Sequence, residues 1–159
     1  MPAGSPAAFL NESPFNTLDP SKLPDVRTFT LSSSFPVSIV ALRGFTNQRN
    51  EFLITTLPVT PVNVNIATPV IFPHFADGNG WTTQVILVNP SDSPMAGAIQ
   101  FFSPGSGSNN GQMLSTSRYS ITPRSSFKFV TPATAAVAQV GSVHVVPDAG
   151  TQAPAGLTV

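Results

Sequence analysis

The sequence of 159 residues contains no cysteine and has few charged residues. Without cysteine it can form no disulfide framework, no thiolate metal site and no thiol nucleophile. Seven Lys and Arg balance seven Asp and Glu, and charged residues make up only 9% of the chain. This composition lacks the basic surface with which proteins attract nucleic acid or anionic lipid. We therefore expect no nucleic acid among the partners.

Acidic and histidine side chains are too scarce to supply a conventional active site. The chain has two histidines, His74 and His144, and two glutamates, Glu12 and Glu51. A Ser-His-Asp triad needs a histidine beside the nucleophile, and a glycosidase needs paired carboxylates. The sequence also places too few ligands near either histidine to hold a metal ion. It predicts no enzymatic activity, no catalytic residue, no metal and no cofactor.

Long apolar runs and a recognisable leader are also missing. No run approaches the roughly 20 residues of a membrane-spanning helix, so we expect no membrane span. Residues 1–5 have neither a basic region nor an apolar stretch, and they predict no signal peptide. We expect that a leader has been removed or that the chain belongs to a longer protein.

The chain is rich in proline, apolar residues and short alternating segments. It has 17 prolines, 41% hydrophobic residues and a mean hydropathy of +0.17, which is too apolar for a disordered chain. The prolines leave little room for helices, and the single candidate, residues 133–139, is expected to be a loop or one short turn. Alternation and β-branched residues predict strands at residues 26–32, 37–43, 51–57, 81–88, 96–102, 118–122, 126–131 and 140–146. The fold class predicted is all-β, an antiparallel sandwich.

The two ends of the chain resemble each other. Residues 36–40 are similar to residues 154–159, and the segment beginning at Pro2 is similar to the one beginning at Pro123, about 120 residues later. Chance similarity between Pro-, Ser- and Val-rich segments is the alternative. If the similarity reflects a repeat, the chain holds about one and a third units. Residues 1–57 are then closing strands of one unit, residues 58–69 a Pro-rich extended linker, and residues 70–159 the body of a second unit that lacks its last hairpin.

A sandwich without its closing strands has an open sheet edge, which is costly to leave exposed. The terminal strands can complete the sandwich within the same chain or in a neighbouring subunit. The second arrangement generates a head-to-tail polymer of identical subunits. The candidates for the subunit interface are the apolar residues of the two end segments: Phe9, Leu10, Phe29, Leu31, Val37, Ile39, Leu157 and Val159.

Four stretches resemble a known family: residues 37–58, 72–92, 99–103 and 119–130. They are similar to tandem immunoglobulin-like repeats in large secreted proteins of environmental bacteria. The resemblance implies an exported, non-catalytic module with a structural or adhesive role. It supplies no catalytic or ligand-binding residues, because such repeats have none assigned. The departure from the family is one of length, since such repeats normally occur in chains much longer than these 159 residues.

Three local motifs allow both a functional and a structural interpretation. Residues 77–80 (Asp-Gly-Asn-Gly) could be half of a calcium loop, but a glycine-bearing turn is favoured because no further acidic ligand follows at loop spacing. Trp81 and the 12 phenylalanines could form a platform for stacking sugars, but they are expected in a core or interface. Asn11 is a formal N-glycosylation acceptor.

Together these features predict an extracellular or cell-surface structural protein. Its subunits would assemble head-to-tail into a filament or spacer by strand complementation. The alternative is a carbohydrate-binding or adhesion module of a larger secreted protein, with glycans as partners.

Overall fold

The computed structural model describes residues 30–62 and 66–159, apart from the side chains of Arg43 and Phe45. Within these ranges the chain forms strands and loops and contains no helix, and every strand pair is antiparallel. The predicted all-β class is confirmed. The strands are β1 (Ala41–Thr46), β2 (Phe52–Leu57), β3 (Val70–Asp77), β4 (Gln84–Val88), β5 (Met95–Phe102), β6 (Met113–Ile121), β7 (Ser126–Val130), β8 (Gln139–Pro147) and β9 (Ala155–Thr158).

Strands β3 to β9 form two antiparallel sheets in a sandwich-like arrangement. One sheet has the order β3-β8-β5-β6, and the other has the order β7-β4-β9. Alternate residues of the central strands face inward, so β5 buries every second residue from Met95 to Phe101. The core is built from both sheets: Phe75, Val85, Leu87, Met95, Ile99, Phe101, Tyr119, Ile121, Val143 and Val145.

Aromatic rings fill one region of this core. The rings of Phe75 and Phe101 meet edge to face with centroids 5.0 Å apart, and Phe129 lies 5.7 Å from Phe101. Edge-to-face pairs are favourable because the positive ring edge meets the negative ring face. Along β8, Val143 and Val145 are buried while His144 faces outward, where its ring packs on Phe102.

A tight turn joins β3 to β4 at Asn79-Gly80. Both residues have positive φ angles, 51° and 85°, and Gly78 and Trp81 exchange two backbone hydrogen bonds of 3.0 Å. Asn-Gly favours such a turn because Asn tolerates the left-handed region and Gly has no Cβ. The Asp77 carboxylate accepts a hydrogen bond from the Ala133 backbone N–H at 2.8 Å. Residues 77–80 therefore serve as a turn, as the sequence analysis favoured.

Asn89 organises the crossing from β4 to β5. Its side chain is buried, and its amide donates to the carbonyl oxygens of Ser93, Ile121 and Thr122 at 2.8 to 3.2 Å. Its Oδ1 accepts from the backbone N–H and hydroxyl of Ser91, both at 2.9 Å. This network provides hydrogen-bond partners for backbone groups at a buried corner, where the chain leaves the sheets.

Gly97 allows two strands and an aromatic ring to meet in the four-stranded sheet. A Cβ atom at this position would lie 2.2 Å from the Val146 carbonyl oxygen and 2.5 Å from the Tyr119 hydroxyl. Tyr119 is 2% exposed, and its hydroxyl has no hydrogen-bond partner among the described residues. Burial raises the pKa of this phenol to about 12, and the nearby Asp148 carboxylate adds to the shift.

Most predicted strands lie where the sequence analysis placed them, but several boundaries were wrong. Residues 30–32, the described part of the strand predicted at residues 26–32, form no strand. The strand predicted at residues 37–43 begins only at Ala41, because residues 37–40 have no strand beside them among those described. No strand was predicted at β3, which contains Pro73; proline is tolerated there because β3 is an edge strand. Of the segment 133–139, residues 133–138 form a loop, as expected, and Gln139 is the first residue of β8.

Candidate functional site

The hairpin β1–β2 is a separate two-stranded sheet. Its strands pair from Ala41↔Leu57 to Thr46↔Phe52, and neither pairs with any other strand in the described ranges. Three apolar side chains share one face because they lie at alternate positions of this register. Leu42, Phe52 and Ile54 are 57%, 69% and 62% exposed. We call this surface the hairpin apolar face.

Asn47 fixes the tip of the hairpin. Its Oδ1 accepts hydrogen bonds from the backbone N–H groups of Arg49 and Glu51, each at 3.0 Å. Its side-chain amide donates to the Glu51 carboxylate at 2.7 Å. Asn50 adopts a positive φ of 63°, which Asn tolerates better than most residues. Residues 47–51 therefore form a defined turn that sets the pairing of β1 with β2.

Phe52 also packs within the hairpin. Its ring lies over Gly44, where an added Cβ would meet the ring carbons at 2.9 and 3.0 Å. Phe52 stands opposite Thr46, so Gly44 is its diagonal neighbour across the pair. An aromatic ring over a strand glycine covers the backbone that the missing side chain leaves exposed. The outer surface of this ring still faces solvent.

The edge of β9 is the second element of the candidate site. β9 pairs with β4 from Val88↔Ala155 to Val85↔Thr158, and Val159 continues the ladder with two bonds to Gln84 at 2.8 and 2.9 Å. Antiparallel hydrogen bonds alternate between residues. The N–H and C=O groups of Gly156 and Thr158 therefore point away from β4, toward the open side of the sheet.

Side chains of β9 divide between two faces. Leu157 lies opposite Ile86 on the outer face, and Val159 lies on the same face with 55% exposure. Gly156 faces the core, where a Cβ would lie 2.8 Å from both the Ile86 carbonyl oxygen and the Leu87 side chain. The segment just before β9 is tied to other backbone by the hydrogen bond from Ala153 N–H to the Ile66 carbonyl oxygen at 2.6 Å.

The remaining interface candidates from the sequence are partly described. Leu31, Val37 and Ile39 are exposed at 45%, 57% and 40% in a segment without a strand. They are therefore available for contact, but the described structure does not bring them together with β9. Four other candidates lie outside the described residues: Phe9, Leu10, Asn11 and Phe29. Their predicted roles, and the assignment of residues 1–57, 58–69 and 70–159 to two units, stay predictions.

Sequence reasoning missed the apolar face of the hairpin. It predicted a strand at residues 51–57 but did not select Phe52 or Ile54 as interface residues. The available signal was an apolar pair at alternate positions next to a polar turn. That pattern is the same for a strand that is buried and for one that is exposed, so it did not identify them.

Trp81 lies apart from the core. It follows the Asn79-Gly80 turn and is 63% exposed, so it does not lie in the core. The other position expected for it, an interface, stays a prediction. An open crevice of about 360 Å³ lies between the sheets beside β6, and core rings form its floor. It is lined by Phe75, Asp77, Phe101, Leu114, Phe129 and Gln139, with neighbouring residues of β6 and the segment 131–132.

Two surface ion pairs join separate segments of the chain. Arg118 donates to both carboxylate oxygens of Asp148, and Arg124 donates to those of Asp92 at 2.8 and 2.9 Å. These hydrogen bonds hold the pKa of each carboxyl below its usual value. In the part of the chain that is described, no three His, Cys, Asp or Glu side chains are grouped to hold a metal ion.

None of the described residues forms a helix long and apolar enough to cross a membrane. Comparison with protein-family models, with curated proteins and with solved structures finds no match for this chain.

Proposed function

We propose that this protein is an extracellular, non-enzymatic structural subunit. Its subunits assemble head-to-tail into a surface filament or spacer by strand complementation. The observation that carries the proposal is the hairpin β1–β2: the hairpin apolar face is exposed to solvent, and its strands pair only with each other in the described ranges. The low charge of the chain, 9% of its residues, also suits such a packed assembly better than a catalyst.

The energetics of the hairpin support association. A two-stranded hairpin is at best marginally stable in water, and it needs a further strand or sheet against which to pack. Fully burying a Leu, Ile or Phe side chain contributes about 1.5 to 3 kcal/mol. Leu42, Phe52 and Ile54 are each more than half exposed, so covering them all would contribute about 4 kcal/mol. That gain offsets part of the cost of ordering the hairpin.

The geometry favours an open chain of subunits over a closed dimer. The hairpin apolar face and the edge of β9 are different surfaces of the same molecule. If the hairpin apolar face of one copy binds the β9 edge of the next copy, the contact is heterologous. Such contacts generate an open chain unless the rotation between neighbouring copies closes a ring. Both surfaces would then be used in every interior subunit of the assembly.

An immunoglobulin-like sandwich is part of this proposal. Counted from β3, the pairs β4–β7 and β5–β8 join the second strand to the fifth and the third to the sixth. Immunoglobulin sandwiches have the same two pairings. The first, fourth and last strands, β3, β6 and β9, lie on the sheets opposite to those of the constant-type order.

Electron microscopy and sedimentation of the full chain test the proposal. We expect the weight-average mass to rise with concentration and filaments to form at high concentration. A variant with Phe52→Ser and Ile54→Ser should stay monomeric, because it loses two of the three residues of the hairpin apolar face. Unchanged near-ultraviolet circular dichroism would show that its sandwich is intact. Monomers of the unaltered chain at every concentration would contradict the proposal.

The exposure of Trp81 favours one alternative, a carbohydrate-binding or adhesion module. An exposed indole ring presents a flat apolar surface with one hydrogen-bond donor. Because Trp81 is the only tryptophan, a change in its fluorescence on adding polysaccharide would report contact directly. Binding that disappears in Trp81→Ala would support this alternative, and unchanged fluorescence with every polysaccharide would count against it.

A further inference from the structure

We infer that the joint between subunits is made by β2 of one copy pairing with the open edge of β9 in the next copy. This inference rests on the proposed head-to-tail assembly and names the two strands that meet. The resulting sheet would have the order β7-β4-β9 followed by β2 and β1 of the second copy. Two features select these strands: the protection of the other edges and the absence of charge on both partners.

Three of the four edges of the sandwich carry features that discourage strand addition. In β3 the register shifts between Phe72 and Phe75, and Pro73 lies within that irregularity. β6 carries Arg118, and its register with β5 is also irregular. β7 has Lys128 at its centre, opposite Ile86 of β4. Charged residues, proline and bulges are the devices by which natural sheets prevent their edges from pairing.

The edge of β9 has none of these features. Residues 155–159 (Ala-Gly-Leu-Thr-Val) contain no charge and no proline, and the register with β4 is regular. The strand is short, but the two bonds between Val159 and Gln84 extend its ladder. The backbone groups of Gly156 and Thr158 point outward and can accept a further strand.

β2 has a matching edge on the hairpin. Asn47 N–H bonds to the Glu51 carbonyl, so the alternation of hydrogen bonds directs the backbone groups of Phe52, Ile54 and Thr56 away from β1. Residues 52–57 (Phe-Leu-Ile-Thr-Thr-Leu) contain no charge and no proline. The two strands therefore match in charge, because pairing them desolvates no ionised side chain.

Three single substitutions test this joint in the full chain. Val159→Lys places a charge at the end of β9, and Ile54→Lys places one on β2. Val130→Lys is the matched control, because Val130 and Val159 flank Gln84 on opposite edges of the same sheet and are 42% and 55% exposed. We expect the first two variants to sediment as monomers at concentrations where the unaltered chain and Val130→Lys form long assemblies.

Mixing the two defective variants gives a sharper result. Val159→Lys retains a functional β2, and Ile54→Lys retains a functional β9 edge. An equimolar mixture should therefore form dimers and stop there, because the remaining strand at each end carries the lysine. Near-ultraviolet circular dichroism of each variant would confirm that loss of assembly is not loss of folding.

The outcomes separate this inference from the proposed function. If the unaltered chain stays monomeric, the proposed assembly itself is wrong. If it assembles and Val159→Lys assembles equally well, β9 is not the acceptor. Loss of assembly in Val130→Lys alone would move the acceptor to β7. If the mixture of Val159→Lys and Ile54→Lys stays monomeric, the pairing of β2 with β9 is overturned.

Discussion

Alkaline pH should destabilise the sandwich through one side chain, Tyr119. The phenol is buried, and burial raises its pKa from the ordinary 10.0 to about 12. The unfolded chain therefore releases this proton at lower pH than the folded chain does. The stabilising contribution is fully present below pH 10 and is lost as the pH rises toward 12.

The size of the effect follows from the shift. One pKa unit corresponds to about 1.4 kcal/mol, so a displacement of two units corresponds to a loss of about 3 kcal/mol. Domains of this size have a total free energy of unfolding of about 5 to 15 kcal/mol. The loss should therefore be easily measured by urea denaturation on either side of pH 10.

The composition of the chain makes the assay unusually direct. Tyr119 is the only tyrosine, so the ultraviolet absorbance of tyrosinate reports its titration without overlap. Tyr119→Phe is the matched control for stability, because lysine titration is common to both proteins and cancels in the difference. The hydroxyl has no hydrogen-bond partner among the described residues. Its removal should therefore leave stability at neutral pH unchanged or increase it by about 1 kcal/mol.

Two results would refute this reasoning. One is a phenol that titrates near 10.0, its ordinary pKa, in the folded protein. The other is a Tyr119→Phe variant that loses as much stability between neutral and alkaline pH as the unaltered chain. Either result would show that ionisation of the buried Tyr119 phenol does not cause the loss of stability at alkaline pH.

Three further predictions concern packing and charge. Asn89→Ala should lower the free energy of unfolding by about 3 kcal/mol, measured by urea denaturation, because it leaves buried carbonyl groups unpaired. Gly97→Ala should prevent folding or lower the free energy of unfolding several times more than Gly80→Ala does. A Cβ at Gly80 meets no atom within 4 Å, so that variant bears only the penalty of its positive φ, about 1 kcal/mol. Equal thermal stability of the two variants would contradict this. Asp92→Asn should reduce the loss of stability on acidification. The hydrogen bonds from Arg124 lower the pKa of Asp92, so the pair contributes stability that is present above pH 3.8 and is lost below it. An unchanged dependence of stability on acidic pH would contradict this.

Local sequence signals predicted the class of fold and many of its strands. The alternation in residues 96–102 identified β5 because every second residue there enters the core. Asn79-Gly80 identified a turn because few other pairs adopt two positive φ angles without strain. These signals depend on the chain near each residue, so they can be recognised without knowledge of the partners.

Other features depend on contacts between distant segments. Residues 37–40 resemble β9 in sequence, yet β9 has β4 beside it and residues 37–40 have no strand beside them in the described structure. β3 was missed because Pro73 argues against a strand unless the strand is known to lie at an edge. Alternation alone specifies a strand's faces but not its neighbours.

The candidate site was predictable only in part. Leu157 and Val159 were selected from the sequence, and they lie on the outer face of the edge strand β9. The hairpin apolar face was not selected, because a strand buried on one face has the same pattern as one that is exposed. The sheet order was also needed to recognise that Arg118 protects β6 and Lys128 protects β7, because a charge discourages strand pairing only at a sheet edge.

Amide hydrogen exchange of residues 52–57 at low and high protein concentration tests association through the hairpin most directly. If a second copy covers β2, its amides should exchange rapidly in dilute solution and slowly in concentrated solution. Amides of the central strand β5 should be protected equally at both concentrations. Exchange of β2 that does not change with concentration would contradict the account.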